Sequence, residues 1–299
     1  MSLDIVKLKT SELDAEIINQ FSLWGKPDVL NSFAGRDNSI PYYICCTEGD
    51  KILSVLPIFE LKKIFIRYIS QALDYKYTPI YFFEDSLNKQ LKINKAIGNF
   101  LKKNYFIVKL SLDPTITDIR GFKWGGCKAE PLYTYTQKIN TYNSDDLPKE
   151  TKRILYNKAK PYLNIVSEWN MDIYKELSVC MLKRKKREMR QIAPNYIDYL
   201  NYLYQAGYCE MFIAYKNDEP LGYLIIIKDN LKKYIYAFYA ASDTKIKKNG
   251  SSLLCYDYVL NHFKNQFDVF DFCGANIETI SYFKAQFNPD LITYYRLYL

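Results

Sequence analysis

Three short apolar segments joined by polar turns, then a helix and a buried strand, limit the fold of this chain more than any other feature. The three segments cover residues 210–216, 221–228 and 234–241. Their length and composition are typical of β-strands that pair in hairpins. Residues 250–264 then have helical spacing, and residues 267–272 form an apolar run typical of a buried strand. This order predicts an α/β unit built on a mixed sheet.

The first half of the chain contains a fainter copy of this pattern. Apolar residues 43–46 and 52–59 are joined by the acidic turn 48–50, much as residues 210–216 and 221–228 are joined by an acidic turn. A helical segment and an apolar strand follow in both halves. Hairpins converge easily on such a pattern, but the matching order of the later elements favours two related α/β units.

A loop-like stretch separates the two predicted units. Residues 120–131 contain three glycines and a proline, which are typical of a connection between folded elements. We therefore predict an N-terminal domain over residues 1–130 and a C-terminal domain over residues 131–299. The predicted fold class is α/β (α+β), with a mixed central sheet flanked by helices in each domain.

Composition and charge favour a protein that acts on anionic partners inside the cell. The chain carries 41 basic and 33 acidic side chains, a net charge of +8 that suits a nucleotide, CoA or RNA. Its seven cysteines show no Cys-x-x-Cys pair and no metal-ligand spacing, so we expect reduced thiols, no metal and a cytoplasmic location. The sequence shows no signal-peptide core and no apolar run of membrane-spanning length, so we expect a soluble protein without membrane insertion.

The closing segment of the chain carries a family resemblance. Residues 270–274 (FDFCG) form an apolar strand that ends in Asp and Gly, and residues 281–287 (SYFKAQF) contain Phe-Lys before a further Phe. Together with the order of elements, this resembles the Fem-type branch of the GNAT acyltransferases. The segment 55–58 (VLPI) followed by Lys62 and Lys63 is similar to the first domain of Fem-like proteins. The resemblance implies two tandem GNAT-like domains, the first of them degenerate.

GNAT enzymes hold the CoA pyrophosphate with a glycine-rich loop at the start of a helix, and the matching place here is altered. Lys247, Lys248, Gly250, Ser251 and Ser252 occupy it, with Lys247 at the position of the usual Arg. Backbone N–H groups at a helix start attract phosphate, and two lysines add positive charge. The alternative is an ordinary helix cap beside solvated lysines. Fem-type members often lack this loop because their donor is aminoacyl-tRNA, so both donors stay open.

The resemblance also implies where acyl transfer takes place. In the GNAT arrangement a backbone N–H on the fourth strand polarises the acyl carbonyl, which puts Tyr239, Ala240 and Ala241 near the reactive centre. Tyr282 could protonate the departing thiolate, or it could simply pack its short helix. We therefore predict that Ala240 and Ala241 bind the cofactor and that Tyr239 and Tyr282 take part in catalysis.

Two charged residues near the end of the chain are further catalytic candidates. In Fem-like enzymes the Lys of the Phe-Lys pair stabilises the anionic tetrahedral centre, a role that would fall to Lys284. The alternative for Lys284 is a surface lysine extending from Phe283 and Phe287. Asp271 could act as a base or orient the amine, or it could cap the turn at Gly274.

In the first domain, Gln71, Asp74 and Tyr75 follow a strand at the place where Fem-like proteins contact the acceptor, so we expect acceptor binding there. The densest basic cluster, residues 183–187 with Arg190, could grip phosphates or form a solvated helix face. His262 is the single histidine and lies within a predicted helix, which favours a structural role.

These observations favour an N-acyltransferase that moves an acyl group from acyl-CoA, such as acetyl-CoA, to a primary amine by direct transfer. The amine could belong to a small molecule or to a cell-wall precursor. Two alternatives stay open: a Fem-like aminoacyl transferase that uses charged tRNA, and a non-catalytic protein of the same fold that binds RNA or another anion.

Overall fold

The computed structural model describes residues 3–63, 66–185, 192–243 and 250–299. The helices are α1 (Ala15–Ile18), α2 (Pro27–Asp37), α3 (Leu87–Asn104), α4 (Arg120–Trp124), α5 (Lys149–Ile154), α6 (Met171–Lys185), α7 (Pro194–Gln205), α8 (Ser251–His262) and α9 (Glu278–Ala285). The strands are β1 (Asp4–Lys9), β2 (Ile40–Glu48), β3 (Lys51–Lys63), β4 (Ile66–Ser70), β5 (Tyr81–Phe82), β6 (Ile107–Ser111), β7 (Lys128–Lys138), β8 (Asn164–Ser167), β9 (Cys209–Lys216), β10 (Glu219–Asp229), β11 (Tyr234–Ser242), β12 (Val269–Asp271) and β13 (Asp290–Tyr298). A π-helical turn, Leu155–Ala159, continues α5.

The chain forms two compact units. Unit 1 consists of Met1–Tyr133 together with Ile292–Leu299, and unit 2 consists of Thr134–Leu291. The division falls within β7, close to the boundary predicted near residue 130. The last strand, β13, differs from the prediction: the sequence places it in the second domain, whereas residues 292–299 lie in unit 1.

Unit 1 is a mixed sheet in the order β1-β2-β3-β4-β6-β13, with β5 paired to β3. Neighbouring strands are antiparallel except β4 and β6, which are parallel. The core between α3 and the sheet contains Ile93, Ile97 and Leu101 from the helix. These side chains recur every three or four residues, so one face of α3 is apolar and buries itself on the sheet.

The strands of unit 2 follow one another in the order β8-β9-β10-β11-β12-β7 and are again mixed in direction. Here too the neighbours are antiparallel except one pair, β11 and β12. The central strand β10 is buried over the continuous run 221–227. Helix α8 packs on one face of β10 and shares a core with it. On the other face, Tyr223 of β10 contacts Tyr174 of α6. A strand covered on both faces is apolar at successive positions, which explains why β10 does not alternate.

The two units share one topology but differ in where the closing strand comes from. In each, an antiparallel three-stranded meander leads through a helix to a parallel strand, and a further antiparallel strand follows at its far side. In unit 2 that last strand is β7, which precedes the meander in sequence. In unit 1 it is β13, which pairs Leu297 with Leu110 and comes from the end of the chain. The predicted fold class, a mixed sheet flanked by helices in two related units, is confirmed.

Candidate functional site

In unit 2 the parallel strands β11 and β12 run side by side for three residues and then part. Residues 234–236 pair with residues 269–271. Beyond Asp271 the chain continues alongside β7, since the Phe272 N–H donates to the Tyr135 carbonyl at 2.9 Å. Strand β11 continues to Ser242 alongside β10. The sheet therefore opens at the carboxyl end of β11, the kind of position at which open α/β sheets bind ligands.

A β-bulge lies on β11 just beyond the point where the strands part. Phe238 is the extra residue: its neighbours Ala237 and Tyr239 pair with consecutive residues of β10. The ring centroid of Phe238 lies 6.3 Å from that of Tyr199, and that of Tyr239 lies 6.1 Å from that of Tyr174. Two successive side chains therefore point to the face covered by α6 and α7. A bulge of this kind bends a strand and changes the direction of its backbone groups.

The residues predicted from the fourth strand lie on β11 just beyond this bulge. Tyr239 is buried against α6. Ala240 is half-buried and packs against the core that also contains α8, whereas Ala241 is buried. The structure thus brings Tyr239, Ala240 and Ala241 to the opening between β11 and β12. Their roles in catalysis and cofactor binding stay predictions.

The loop after β12 is held by buried polar side chains. Asp271 is buried, and its Oδ1 accepts hydrogen bonds from the Thr134 hydroxyl and from the Cys273 N–H, both at 2.6 Å. The same Thr134 hydroxyl oxygen accepts from the Gly274 N–H at 2.9 Å. Cys273 and Gly274 both have left-handed backbone conformations, with φ of 58° and 92°. Asp271 therefore caps this turn, the alternative that the sequence had left open.

Lys284 secures the same loop from helix α9. Its Nζ donates to the Cys273 carbonyl at 3.0 Å and to the Gly274 carbonyl at 2.7 Å, and the residue is only 6% exposed. Burial contradicts the alternative of a surface lysine. A buried ammonium is tolerated because it is hydrogen-bonded to oxygen, and here those oxygens belong to the turn that follows β12.

Tyr282, the predicted proton donor to the leaving group, is 68% exposed on α9. The neighbouring Ser281 hydroxyl lies 3.1 Å from the Tyr135 hydroxyl and fastens α9 to β7. Tyr282 is therefore a solvent-facing side chain on the helix that carries Lys284. It is not a packing residue of that helix.

The start of α8 is fixed by close packing. A Cβ at Gly250 would lie 2.9 Å from the Ala159 Cβ, and φ at Gly250 is +81°. The Ser251 hydroxyl is buried and donates to the Leu221 carbonyl at 3.0 Å. Ser252 is half-buried in the first turn. Gly250 and Ser251 therefore have structural reasons for their identity, and phosphate binding by this helix start stays a prediction.

Two of the predicted phosphate ligands cannot be placed. Lys247 and Lys248 lie outside the described residues, as do Lys186, Arg187 and Arg190 of the basic cluster. His262 lies in the last turn of α8 and its ring stacks on Tyr258, with centroids 5.4 Å apart. Burial raises the pKa of Cys255 to about 12, so this thiol remains protonated and is not a nucleophile near neutral pH.

Unit 1 has the equivalent pair of parallel strands, β4 and β6, but there the opening is filled by Gln71. The Gln71 N–H donates to the Lys109 carbonyl at 2.9 Å, and its side-chain Oε1 accepts from the Ser111 N–H at 2.8 Å. Its Nε2 donates to the carbonyls of Tyr75 and Lys76. Gln71 thus joins the two strands and the following loop through its own hydrogen bonds.

The other predicted acceptor-binding residues hold the same loop. Tyr75 is buried and its hydroxyl donates to the Trp24 carbonyl. Asp74 has φ of 63°, and its carboxylate lies 3.9 Å from the buried guanidinium of Arg36. The side chains of Gln71, Asp74 and Tyr75 are therefore all engaged within unit 1. Acceptor binding by this loop stays a prediction.

Comparison with known proteins now adds to this geometry. No family model matches the chain, and no curated protein matches it. Among solved structures, the alignment with FemX covers 98% of this chain and 96% of the FemX chain, at 10% sequence identity and with a TM-score of 0.67. The alignment with L-PGS from Bacillus licheniformis covers 95% of this chain and 91% of the L-PGS chain, at 14% sequence identity and with a TM-score of 0.62. The alignment with a tandem GNAT protein from the clavulanic acid biosynthesis pathway covers 99% of this chain and 98% of that protein's chain, at 11% sequence identity and with a TM-score of 0.59.

The chain has a tandem GNAT-like fold. The likeness extends over both units, which agrees with the topology that the two units share. At identities of 10–14% these comparisons establish the GNAT-like fold alone. The resemblance read from the order of strands and from residues 281–287 is thereby confirmed at the level of fold.

Two features of the GNAT-like unit 2 were not predictable from the sequence. Thr134 carried no signal, because a lone threonine in an alternating strand is ordinary, yet it is buried and bonds both Asp271 and Gly274. The bulge at Phe238 has no local signal in the sequence either, because residues 234–241 are all apolar or aromatic and show no alternation that a bulge could interrupt. Within the described ranges, no helix is long and apolar enough to cross a membrane.

Proposed function

We propose that unit 2 is an N-acyltransferase that moves an acyl group from acyl-CoA directly to a primary amine. The observation that carries this proposal is the parting of β11 and β12 beside the bulge at Phe238. An extended ligand arm can lie along the edge of β11 there, as an added strand would. The acyl carbonyl would then meet backbone N–H groups near Ala240 and Ala241, fixed donors suited to a developing oxyanion.

The start of α8 supports the same proposal. It follows β11 after residues 243–250, and α8 is a twelve-residue helix. Backbone N–H groups and the helix dipole at such an end favour phosphate groups, which acyl-CoA carries. In this arrangement the phosphate end of the donor lies at Ser251 and Ser252, and the thioester lies along β11.

The transfer step needs few ionisable groups. The deprotonated amine attacks the thioester carbon, the C–N bond forms as the C–S bond breaks, and the amine proton passes to solvent. The thiolate takes a proton, for which the exposed Tyr282 hydroxyl is the proposed source. Asp271 and Lys284 hold the loop after β12, so in this proposal they act through the shape of the opening.

Calorimetric titration with acetyl-CoA at moderate salt tests the proposal. We expect saturable binding at one site for each chain. Ser252→Asp should weaken that binding by at least about tenfold, because a carboxylate repels phosphate at close range while it suits a helix start. Ser86→Asp places the same charge at the start of α3 in unit 1 and should leave binding unchanged.

A parallel titration with tRNA examines the competing donor. Fem-like enzymes, which the chain resembles, use aminoacyl-tRNA, and FemX shares its fold. Binding to tRNA would weaken steeply as salt rises, since it releases counterions. Salt-sensitive tRNA binding without any acetyl-CoA binding would overturn the CoA proposal in favour of aminoacyl transfer or anion binding.

A further inference from the structure

Unit 1 exposes large apolar side chains at the end of its sheet where β6 begins. Phe106 is exposed there by 75%, Ile66 by 49% and Ile107 by 46%, and Trp124, at the end of α4, is exposed by 58%. Exposure of aromatic and branched aliphatic side chains to water is unfavourable, and a group of them marks an interaction surface more often than single exposed residues do.

These side chains belong to adjoining pieces of backbone. Phe106 lies beside the start of β4, since its N–H donates to the Arg67 carbonyl at 3.3 Å. It is also two residues beyond the end of α3, where Lys102 and Lys103 form the last turn. Helix α4, which ends at Trp124, leads to Gly126, and a Cβ there would lie 2.6 Å from the Lys102 side chain. The end of α3 therefore lies beside the residues after α4 at Lys102, and the chain that leaves it lies beside the start of β4 at Phe106.

The same three segments carry positive charge and no negative charge. Residues 61–70, 99–110 and 119–128 contain nine lysines and arginines and no aspartate or glutamate. The carboxylates next to them in sequence are occupied: Glu60 accepts from Lys7 and Tyr105, and Asp118 pairs with Arg120 at 2.7 Å. The lysines of these segments whose side chains are described are all exposed, and the segments contain no carboxylate of their own.

We propose that this aromatic–basic surface, formed by Ile66, Arg67, Lys102, Lys103, Phe106, Ile107, Lys123 and Trp124, docks onto a membrane that contains anionic lipids. Apolar side chains enter the boundary between headgroups and acyl chains, while lysines and arginines remain at the level of the phosphates. Each basic residue near an anionic bilayer strengthens binding by about fivefold. A nucleic acid is a poorer match, because the exposed isoleucines gain nothing from base stacking.

Sedimentation with vesicles tests this surface without reference to the acyl-transfer proposal. The full chain is mixed with vesicles of pure phosphatidylcholine, or of three parts phosphatidylcholine to one part phosphatidylglycerol. We expect binding to the anionic vesicles that weakens when salt rises from about 0.1 M to about 1 M, where the Debye length falls from about 10 Å to about 3 Å.

Paired variants locate the binding surface. Phe106→Ser/Trp124→Ser should reduce the partition coefficient by at least about tenfold, since each large apolar side chain contributes more than that factor when fully buried. Tyr162→Ser/Leu231→Ser removes two equally exposed side chains of unit 2 and should have no effect. Lys102→Gln/Lys103→Gln should reduce binding by about 25-fold, whereas Lys149→Gln/Lys158→Gln on unit 2 should not.

Circular dichroism and thermal melting confirm that each variant is folded, which exposed substitutions should permit. The proposal is overturned if the wild-type chain binds neither vesicle. It is also overturned if the unit 1 variants bind as tightly as the unit 2 controls, or if single-stranded RNA binds to this surface while anionic vesicles do not.

Discussion

At the scale of single residues, Lys284 is the clearest case of a side chain whose contacts define what it can do. Its ammonium group is buried and donates to two carbonyls of the left-handed turn at Cys273 and Gly274. Cys273 and Gly274 are half-buried, so without this donor their carbonyls would lose hydrogen bonds that water can replace only in part. Lys284 therefore stabilises the loop that bounds the opening between β11 and β12.

We expect Lys284→Met to lower the free energy of unfolding by about 1–3 kcal/mol, because it leaves both carbonyls without this donor. If the loop shapes the donor site, turnover should fall by about a hundredfold or more as well. Urea denaturation and a steady-state assay measure the two effects. Lys158→Met, which removes an exposed lysine of the same unit, should change neither.

A methionine variant with wild-type stability would contradict the structural role, and one with wild-type turnover would contradict any role in transfer. Lys284→Arg retains charge and donors, so it should recover part of the lost stability.

The sequence identified Lys284 and Asp271 as candidate residues but did not predict their hydrogen-bond partners. Apolar neighbours marked Asp271 as buried, and the Phe-Lys pair drew attention to Lys284. Their partners are backbone groups of the turn and Thr134, 137 residues away from Asp271 in sequence. Contacts over such separations leave no local pattern, which is why residue identity was predictable and the hydrogen-bond partners were not.

At the scale of elements, the junction of β10 with α8 shows how tightly a helix start can be held. Gly222 lies under the first turn of α8, and a Cβ there would lie 2.6 Å from the Ser251 Oγ and 3.2 Å from the Ala241 carbonyl oxygen. Glycine is required here by space, since the backbone conformation is ordinary for a strand. The position of α8 relative to the end of β11 depends on this contact.

Gly222→Ala should therefore destabilise unit 2 by about 1–3 kcal/mol through overpacking, as measured by urea denaturation. In the background of Ser251→Ala, which removes the nearest atom, the same substitution should cost less, and the double-mutant cycle isolates that coupling. Gly35→Ala is the matched control: in helix α2 its Cβ meets nothing within 4 Å, so it should stabilise by about 0.5–1 kcal/mol. Equal effects of the two substitutions would show that space at Gly222 is not limiting.

Periodicity predicted the main elements of unit 2 well and those at the N-terminus less well. The segments 210–216, 221–228 and 234–241 coincide with β9, β10 and β11 within two residues. The N-terminal strand β1 and helix α2 were not predicted. Helix α2 begins with Pro27 and Asp28, which are favourable in a first turn, but its few apolar residues, 29, 30, 33 and 34, are too short a pattern to identify a helix. Whether such short segments form a helix or a strand depends on tertiary packing.

At the scale of the whole molecule, the closing strand of unit 1 links the two ends of the sequence. Leu297 is fully buried in the unit 1 core and pairs with Leu110, although almost 190 residues separate them. Sequence patterns identify β13 as a strand but do not indicate which strand it pairs with. This is why the predicted domain boundary omitted the C-terminal segment from the first domain.

We expect Leu297→Ala to destabilise unit 1 by about 2–5 kcal/mol, the usual cost of a cavity in a packed core. Native-state hydrogen exchange should show the loss in β6 and its neighbours in unit 1, with smaller changes in β9 and β10. Leu291→Ala, at an exposed position of the same strand, should leave exchange unchanged. Loss of protection first in β9 and β10 would contradict the assignment of residues 292–299 to unit 1.

The late position of β13 also has a consequence during synthesis. A ribosome makes the N-terminal residues first, and domains ordinarily fold as they emerge. Here the far edge of β6 has no β13 to pair with until residues 292–299 leave the exit tunnel, by which time all of unit 2 has been translated. For that interval unit 1 has an open strand edge, which is prone to pair with other nascent chains. We therefore expect translation speed and chaperone access over the second half of the message to influence how the first half folds.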